Sequence, residues 1–258
     1  RTALVKSLNL PTIGLCEELM PKQLIVYSRR FGITADMMED LTTCLGSLST
    51  TLQEMISAYG VFANQGRLVK PIYILRVEDQ AGNILESSLP EFKQVTSEET
   101  AFLLSNVLQD VVKRGTGRRA RAIGRPSAGK TGTTNDNVDA WYIGYIPQLL
   151  TGVYVGFDKP KRMGKSETGS KAAAPIWIDF MKNSISNLPT KQFKQPSGIT
   201  TVKIHKSGRR ALPCDNPKEI NEEHYKTGTE PVLDMSIPES CGQEVTEKVK
   251  NKDSDPEL

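Results

Sequence analysis

The 258-residue sequence predicts an α+β fold, with an antiparallel sheet flanked by helices. Three observations carry that expectation. Two segments place apolar residues at helical spacing behind a capping-box pair, Thr51 with Glu54 and Thr96 with Glu99. Three strand-like runs, 128–134, 140–146 and 151–157, cluster late and are joined by connections too short for a crossover helix. With 38% apolar and 24% charged residues the chain can fill an ordinary core, and no apolar run approaches the roughly 18 residues of a membrane span.

Taken in order, Leu4 to Leu19 mixes helical spacing with a break at Pro11, which predicts a loop and then a helix. Behind Thr51, the residues Leu52, Met55, Ile56, Tyr59 and Phe62 form one stripe, and Gly66 ends the helix. Residues 72–77 read as a strand, turning through 79–83 into a short partner at Ile84-Leu85. The helix opening at Thr96 buries Phe102, Leu103, Val107, Leu108 and Val111 and stops at Gly115-Thr116-Gly117. A loop rich in arginine comes next (Arg118, Arg119, Arg121, Arg125), and Pro147-Gln148 later turns between the last two strands. A final helix with Pro175 in its first turn is expected to bury Ile176, Ile178, Phe180 and Met181. Composition turns polar after Pro196-Ser197-Gly198, so a boundary is placed at 198, between residues 1–198 and an acidic extension over 199–258.

Charge is uneven. From Cys214 onward 5 Lys face 12 acids, a net of −7, so residues 1–213 carry +10 of the total +3. A basic body suits anionic surroundings such as nucleic acid, a membrane surface or a carboxylate-rich substrate, although a solvated surface with an acidic tail explains the same numbers. Two histidines (His205, His224) and four scattered cysteines (16, 44, 214, 241) offer no metal-ligand spacing. A Ser-His-Asp triad would need one of two histidines in a polar C-terminal stretch as its base.

Three motifs overlap on Lys130. Residues 124–131 satisfy G-x-x-x-x-G-K-[ST], but Gly132-Thr133-Thr134-Asn135 cannot start the helix a P-loop requires, and Pro126 removes one N–H from the cradle. Ser127 and Lys130 match S-x-x-K, a nucleophile motif that works on a helix; on a strand the two side chains point to opposite faces. The third reading, Lys130-Thr131-Gly132-Thr133 as a K-T-G strand beside a cleft, explains each residue type. The ammonium stabilises developing negative charge, the glycine lets a substrate backbone lie close, and the hydroxyls give directed hydrogen bonds. Lys226-Thr227-Gly228-Thr229 repeats the four letters in a charged stretch and reads as a loop.

The context of Lys130 extends the third reading. Residues 128–137 (AGKTGTTNDN) and 139–147 (DAWYIGYIP) resemble the transpeptidase domain of class A penicillin-binding proteins, as do 46–66, the stretch from Val111 to Ala120, 152–158, 174–177 and 228–231. By this resemblance Ser7-Leu8-Asn9 is the second catalytic motif, S-x-N: Ser7 relays a proton to the leaving amine, and Asn9 binds the substrate peptide. Lys130 supplies electrostatics, and Thr131, Gly132 and Thr133 bind substrate. The alternative reading of Ser7 and Asn9 is a turn or helix cap before Pro11.

The resemblance implies a D,D-transpeptidase that cross-links peptidoglycan stem peptides ending in D-Ala-D-Ala and is acylated by β-lactams. It implies no cofactor, no metal and no nucleic-acid partner. It also implies an extracytoplasmic location on the bacterial inner membrane, through an N-terminal anchor outside this chain. The opening at Arg1 has no initiating Met and no signal peptide, and the family's S-x-x-K nucleophile helix is expected upstream, leaving part of the core unfilled. A D,D-carboxypeptidase, a serine β-lactamase-like hydrolase and a non-catalytic module share the remaining motifs. The oxidising compartment allows a Cys214–Cys241 disulfide, with four free thiols as the alternative.

Overall fold

The computed structural model describes residues 1–232. They fall into two compact units, the first over Arg1–Lys194 and the second beginning at Gln195. The first unit runs α1 (Thr2–Lys6), α2 (Asn9–Leu19), α3 (Pro21–Arg30), α4 (Leu52–Ala63), then the short strands β1 (Arg67–Val69), β2 (Arg76–Glu78), β3 (Ile84–Ser87) and β4 (Phe92–Gln94). It continues with α5 (Glu98–Arg114), β5 (Ala128–Thr133), β6 (Ala140–Ile146), β7 (Leu149–Val155) and α6 (Ala174–Ser184). The second unit is a hairpin of β8 (Ile199–His205) and β9 (Ile220–Lys226).

The α+β expectation holds: β5, β6 and β7 form an antiparallel meander with helices on both faces. Directly paired residues share a face, so Ala128, Tyr145 and Leu150 lie together, and Tyr142 and Val153 lie on the other side. The first face packs on Val5 of α1, on Tyr59 and Phe62 of α4, and on Leu108 and Val111 of α5. The second packs on Trp177 and Met181 of α6. Ser105 ties the layers together, donating to the Phe62 carbonyl at 3.2 Å and meeting the Tyr145 hydroxyl at 2.8 Å.

Several expectations shift for identifiable reasons. The segment expected as loop then helix is two helices broken at Ser7-Leu8, and Pro11 sits in the first turn of α2, where a missing N–H costs nothing. The Thr51–Glu54 capping box forms with both halves in place. The second box does not form: Ser97 caps α5 by accepting from the Thr100 N–H, because the Thr96 N–H is committed to the Gly66 carbonyl. Of residues 72–77, only Arg76 and Val77 lie in a strand, the Leu75 carbonyl adds one bond from the Ser88 N–H, and Tyr73, Ile74 and Leu75 are exposed. The third strand starts two residues early because Ile146 pairs with Leu149 across the two-residue turn. In α6, Ala174, Trp177 and Met181 form the buried stripe, and Ile176 and Phe180 are about half exposed on the opposite side. Lys226 ends β9 rather than lying in a loop.

The four-thiol alternative fails, because Cys16 of α2 is bonded to Cys44. That pairing had no signal in the sequence. The expected partner of Cys214, Cys241, lies outside the described residues. The Cys16–Cys44 bond clasps α2 to the 3-10 turn over Thr43–Leu45. Elsewhere α2 and α3 bury little: Leu10, Leu15, Leu19, Met20, Val26 and Tyr27 are exposed. Among the described residues no helix is long and apolar enough to cross a membrane.

Glu54 fastens the segment between α3 and α4. Its carboxylate accepts from the Thr34 N–H at 2.8 Å, the Thr34 hydroxyl, the Thr50 hydroxyl at 2.8 Å and the Thr51 N–H at 3.2 Å. These donors, Thr34 first, pull its carboxyl down from 4.5 to about 2. Because the folded value is depressed, the stabilisation is complete above pH 4.5 and is lost as pH falls towards 2. Glu54→Gln is expected to cost about 1 kcal/mol at pH 7, the scale of a lost helix cap. Urea denaturation from pH 7 to pH 2.5 should show the two proteins converging in acid; a gap independent of pH would contradict the assignment.

Candidate active site

Among the described residues β5 is an edge strand of its sheet, with no strand paired on one side of its backbone. Along it the side chains alternate. Lys130 shares a face with Ile143 and Gly152, whereas Thr131 shares the opposite face with Tyr142. Gly132 lies beside Trp141, and a Cβ there would stand 3.1 Å from the tryptophan Cβ, so the missing side chain serves the sheet packing itself.

Ser7 is carried to this strand by α1. The helix ends in a Schellman motif: the Leu8 N–H reaches the Ala3 carbonyl at 2.9 Å and the Ser7 N–H the Leu4 carbonyl at 3.2 Å. That motif puts Ser7 in the left-handed region (φ 55°, ψ 51°), a position glycine usually fills. Three contacts seat the helix. Val5 is buried against α5 and β5, Arg1 pairs with Asp110 at 3.0 Å, and the Val5 carbonyl accepts from the Thr116 N–H at 3.2 Å. The approach of Val5 requires glycine at 115, where a Cβ would stand 2.3 Å from the Val5 carbonyl oxygen.

The result is a direct contact across 123 residues of sequence: Lys130 Nζ donates to Ser7 Oγ at 2.8 Å. It also donates to the Thr131 carbonyl at 2.8 Å. Burial pushes the Lys130 ammonium down from 10.5 to about 8, so it remains mostly charged at pH 7. Thr131 Oγ1 donates to Thr116 Oγ1 at 2.8 Å, and Thr133 Oγ1 accepts from the Gly169 N–H at 3.0 Å. Asn9, at the start of α2, is exposed and makes no side-chain hydrogen bond among the described residues. The structure therefore joins Ser7 to Lys130 and leaves Asn9 unattached.

The cleft beside β5 holds about 580 Å³, within the usual range for small-molecule sites. Lys130, Thr131 and Thr133 form one wall, and Leu52, Met55 and Tyr59 of α4 form an apolar one. Trp141 and Tyr154 stand at 4.7 Å between ring centres, with the Tyr154 hydroxyl donating to Asp139 at 2.8 Å. Leu45 to Thr50, the segment held by Glu54 and the Cys16–Cys44 clasp, closes the side. The other overlapping motifs find no support here. Lys130 lies within a strand that runs on to Thr133, with only a 3-10 turn at Asn135–Asn137 after it, so no helix opens at the lysine. The Ser127 hydroxyl is buried without a partner among the described residues. In the sequence Thr116 reads only as part of a helix terminator; the glycines on either side of it are the available signal of close packing.

The penicillin binding protein transpeptidase domain model matches residues 1–182. The chain belongs to that family. Penicillin-binding protein 1A of Rickettsia typhi is 34% identical over 236 residues, covering 83% of this chain and 30% of its own length. That of Neisseria lactamica is 38% identical over 206 residues, covering 77% and 26%. The chain thus spans about 30% of the length of the curated relatives it matches. Among solved structures, penicillin-binding protein 1A from Haemophilus influenzae superposes with a TM-score of 0.83 at 29% identity, over 90% of this chain and 40% of that one. PonA1 from Mycobacterium tuberculosis, solved in complex with penicillin V, gives 0.56 at 26% identity over 66% and 51%.

Two measurements test this geometry. Carbon-detected titration of the lysine side chains, with Lys130 assigned by its loss in Lys130→Arg, should give a midpoint near 8. Since the unfolded lysine titrates near 10.5, the unfolded chain holds more protons between the two values, and stability rises with pH across that window. A midpoint above 10 would place the ammonium in open solvent. Separately, Ser7→Gly should be more stable than Ser7→Ala by about 1 kcal/mol, since both lose the hydroxyl and only alanine keeps a Cβ in the left-handed region. Equal urea midpoints would show that the turn relaxes.

Proposed function

We propose that this chain contributes the second and third catalytic motifs of a serine D,D-transpeptidase that cross-links peptidoglycan stem peptides. The observation that carries the reading is the 2.8 Å bond from Lys130 to Ser7, which joins the two motifs in one site. Because Lys130 donates to Ser7 Oγ, the hydroxyl proton of Ser7 is free to point elsewhere, and the adjacent ammonium makes it easier to give away. Ser7 relays a proton between the general base and the leaving amine. It hands its own proton to the amine as an acyl-enzyme forms and takes up the one that the attacking serine gave to the base. When a second stem-peptide amine displaces the acyl group, its proton returns to the serine by the reverse path. Lys130 stabilises the developing negative charge. Asn9, exposed two residues beyond Ser7, binds the substrate peptide, and Thr131, Gly132 and Thr133 hold its carboxylate and backbone.

The acylated serine comes from an S-x-x-K segment outside residues 1–258, because the match at Ser127 is buried on the wrong structure. Residues 1–198 are the C-terminal portion of the transpeptidase domain, and 199–258 are an acidic extension. The substrates are stem peptides ending in D-Ala-D-Ala, and β-lactams acylate the same serine. Support for the latter comes from the family match and from the penicillin V complex of the Mycobacterium relative. An extracytoplasmic location beside the inner membrane agrees with the Cys16–Cys44 disulfide and with the basic charge of residues 1–213 facing an anionic wall.

Fluorescent-penicillin labelling tests the reading. The full-length protein should label and this 258-residue chain alone should not. In the full-length protein, Lys130→Ala should slow acylation at least about a hundredfold, the scale for losing a preorganised electrostatic group. Lys226→Ala, which removes the same charge from the repeated tetrapeptide, should stay within about twofold. Equal rates for the two variants would remove Lys130 from the site, and covalent labelling of the isolated chain would overturn the placement of the nucleophile. Release of D-Ala without cross-linked product would make the enzyme a carboxypeptidase.

A further inference from the structure

Thr116 touches both halves of the site. Its N–H donates to the carbonyl of Val5, two residues before Ser7, and its Oγ1 accepts from Thr131, the neighbour of Lys130. Gly115 lets the loop press this closely, since a Cβ there would also stand 2.9 Å from the Val111 carbonyl. Thr116 gives its own hydroxyl proton to no acceptor among the described residues.

The direction of the Thr131–Thr116 bond matters chemically. A hydroxyl has one proton to give, and Thr131 gives it to Thr116. A carboxylate is acceptor-only, so Thr131 can bind one only when its proton turns away from Thr116. The unused proton of Thr116 can then point back at Thr131 Oγ1, making a chain Thr116 to Thr131 to carboxylate. Two hydroxyls rotate, no proton leaves its oxygen, and the second bond polarises the first. The geometry points to Thr116 as a positioning residue for substrate carboxylate recognition, which orients the Thr131 hydroxyl and reverses with it when the carboxylate arrives. This inference rests on the transpeptidase reading above, in which Thr131 holds that carboxylate.

A purely structural threonine would affect all ligands alike, so the test compares two. Second-order acylation rates of the full-length protein are measured with benzylpenicillin and with its methyl ester, which lacks the charge. Thr116→Val keeps the N–H and the bulk but removes the hydroxyl; it should lower the acid-to-ester rate ratio about tenfold with the ester rate within about threefold of wild type. Thr116→Ala, which introduces no new bulk, should lower the ratio in the same way, and Thr116→Ser should restore it. Equal loss for both ligands, or an unchanged ratio, overturns the role of Thr116 while leaving the transpeptidase reading intact. Failure of the wild-type protein to react with any penicillin overturns both.

Discussion

The seating of Val5 is the contact on which the rest of the site depends. Its side chain is buried between α5 and the sheet, and its carbonyl faces Gly115 and bonds to Thr116. α1 is only five residues long, too short to hold a helix by propensity alone, so this tertiary anchor and the Arg1–Asp110 pair give it a fixed place. Once Val5 is fixed, the Schellman turn two residues later can aim Ser7 at only one part of β5, and Lys130 is there.

Around that contact the local energetics work against stability. Ser7 holds a backbone conformation that a side chain disfavours, and Lys130 keeps a partly desolvated ammonium with no carboxylate bonded to it among the described residues. Both costs sit on the same hydrogen bond and are offset by the buried layers on either side of the meander. A carboxylate placed beside Lys130 would relieve the desolvation cost and would also neutralise the positive field of the ammonium.

The side of the cleft closed by Leu45 to Thr50 is built on different terms. Residues 31–51 contribute little to the core and are held by polar and covalent fastenings, the four donors on Glu54 and the Cys16–Cys44 bond. The cleft therefore has one wall set by hydrophobic packing and another set by fastenings that respond to acid and to reductant. The exposed leucines of α2 lie on the helix that the disulfide ties to this segment, which leaves unused apolar surface there.

The sequence by itself determined the elements whose signals are local. The α4 stripe with its capping box, the end of α5 at Gly115-Thr116-Gly117, the 147–148 turn and the three strands of the meander come from spacing, caps and turn chemistry. The strand carrying Lys130 could be told from a P-loop because Gly132 to Asn135 cannot open a helix. Ser7 and Asn9 could be singled out only through resemblance, because three letters of sequence have no periodicity to read, and the structure attaches Ser7 to Lys130 and leaves Asn9 without a side-chain bond among the described residues. Tertiary structure alone decided the rest. It chose Ser97 over Thr96 as the cap, since a distant carbonyl claimed the Thr96 N–H, and it turned Ile176 and Phe180 outward because Trp177 filled the space against the sheet. It also paired Cys16 with Cys44 and brought Ser7, Thr116 and Thr131 into one cluster with Lys130. Those contacts join residues far apart in the chain, and a hydrogen bond or a disulfide depends on positions in space that only packing of the layers sets.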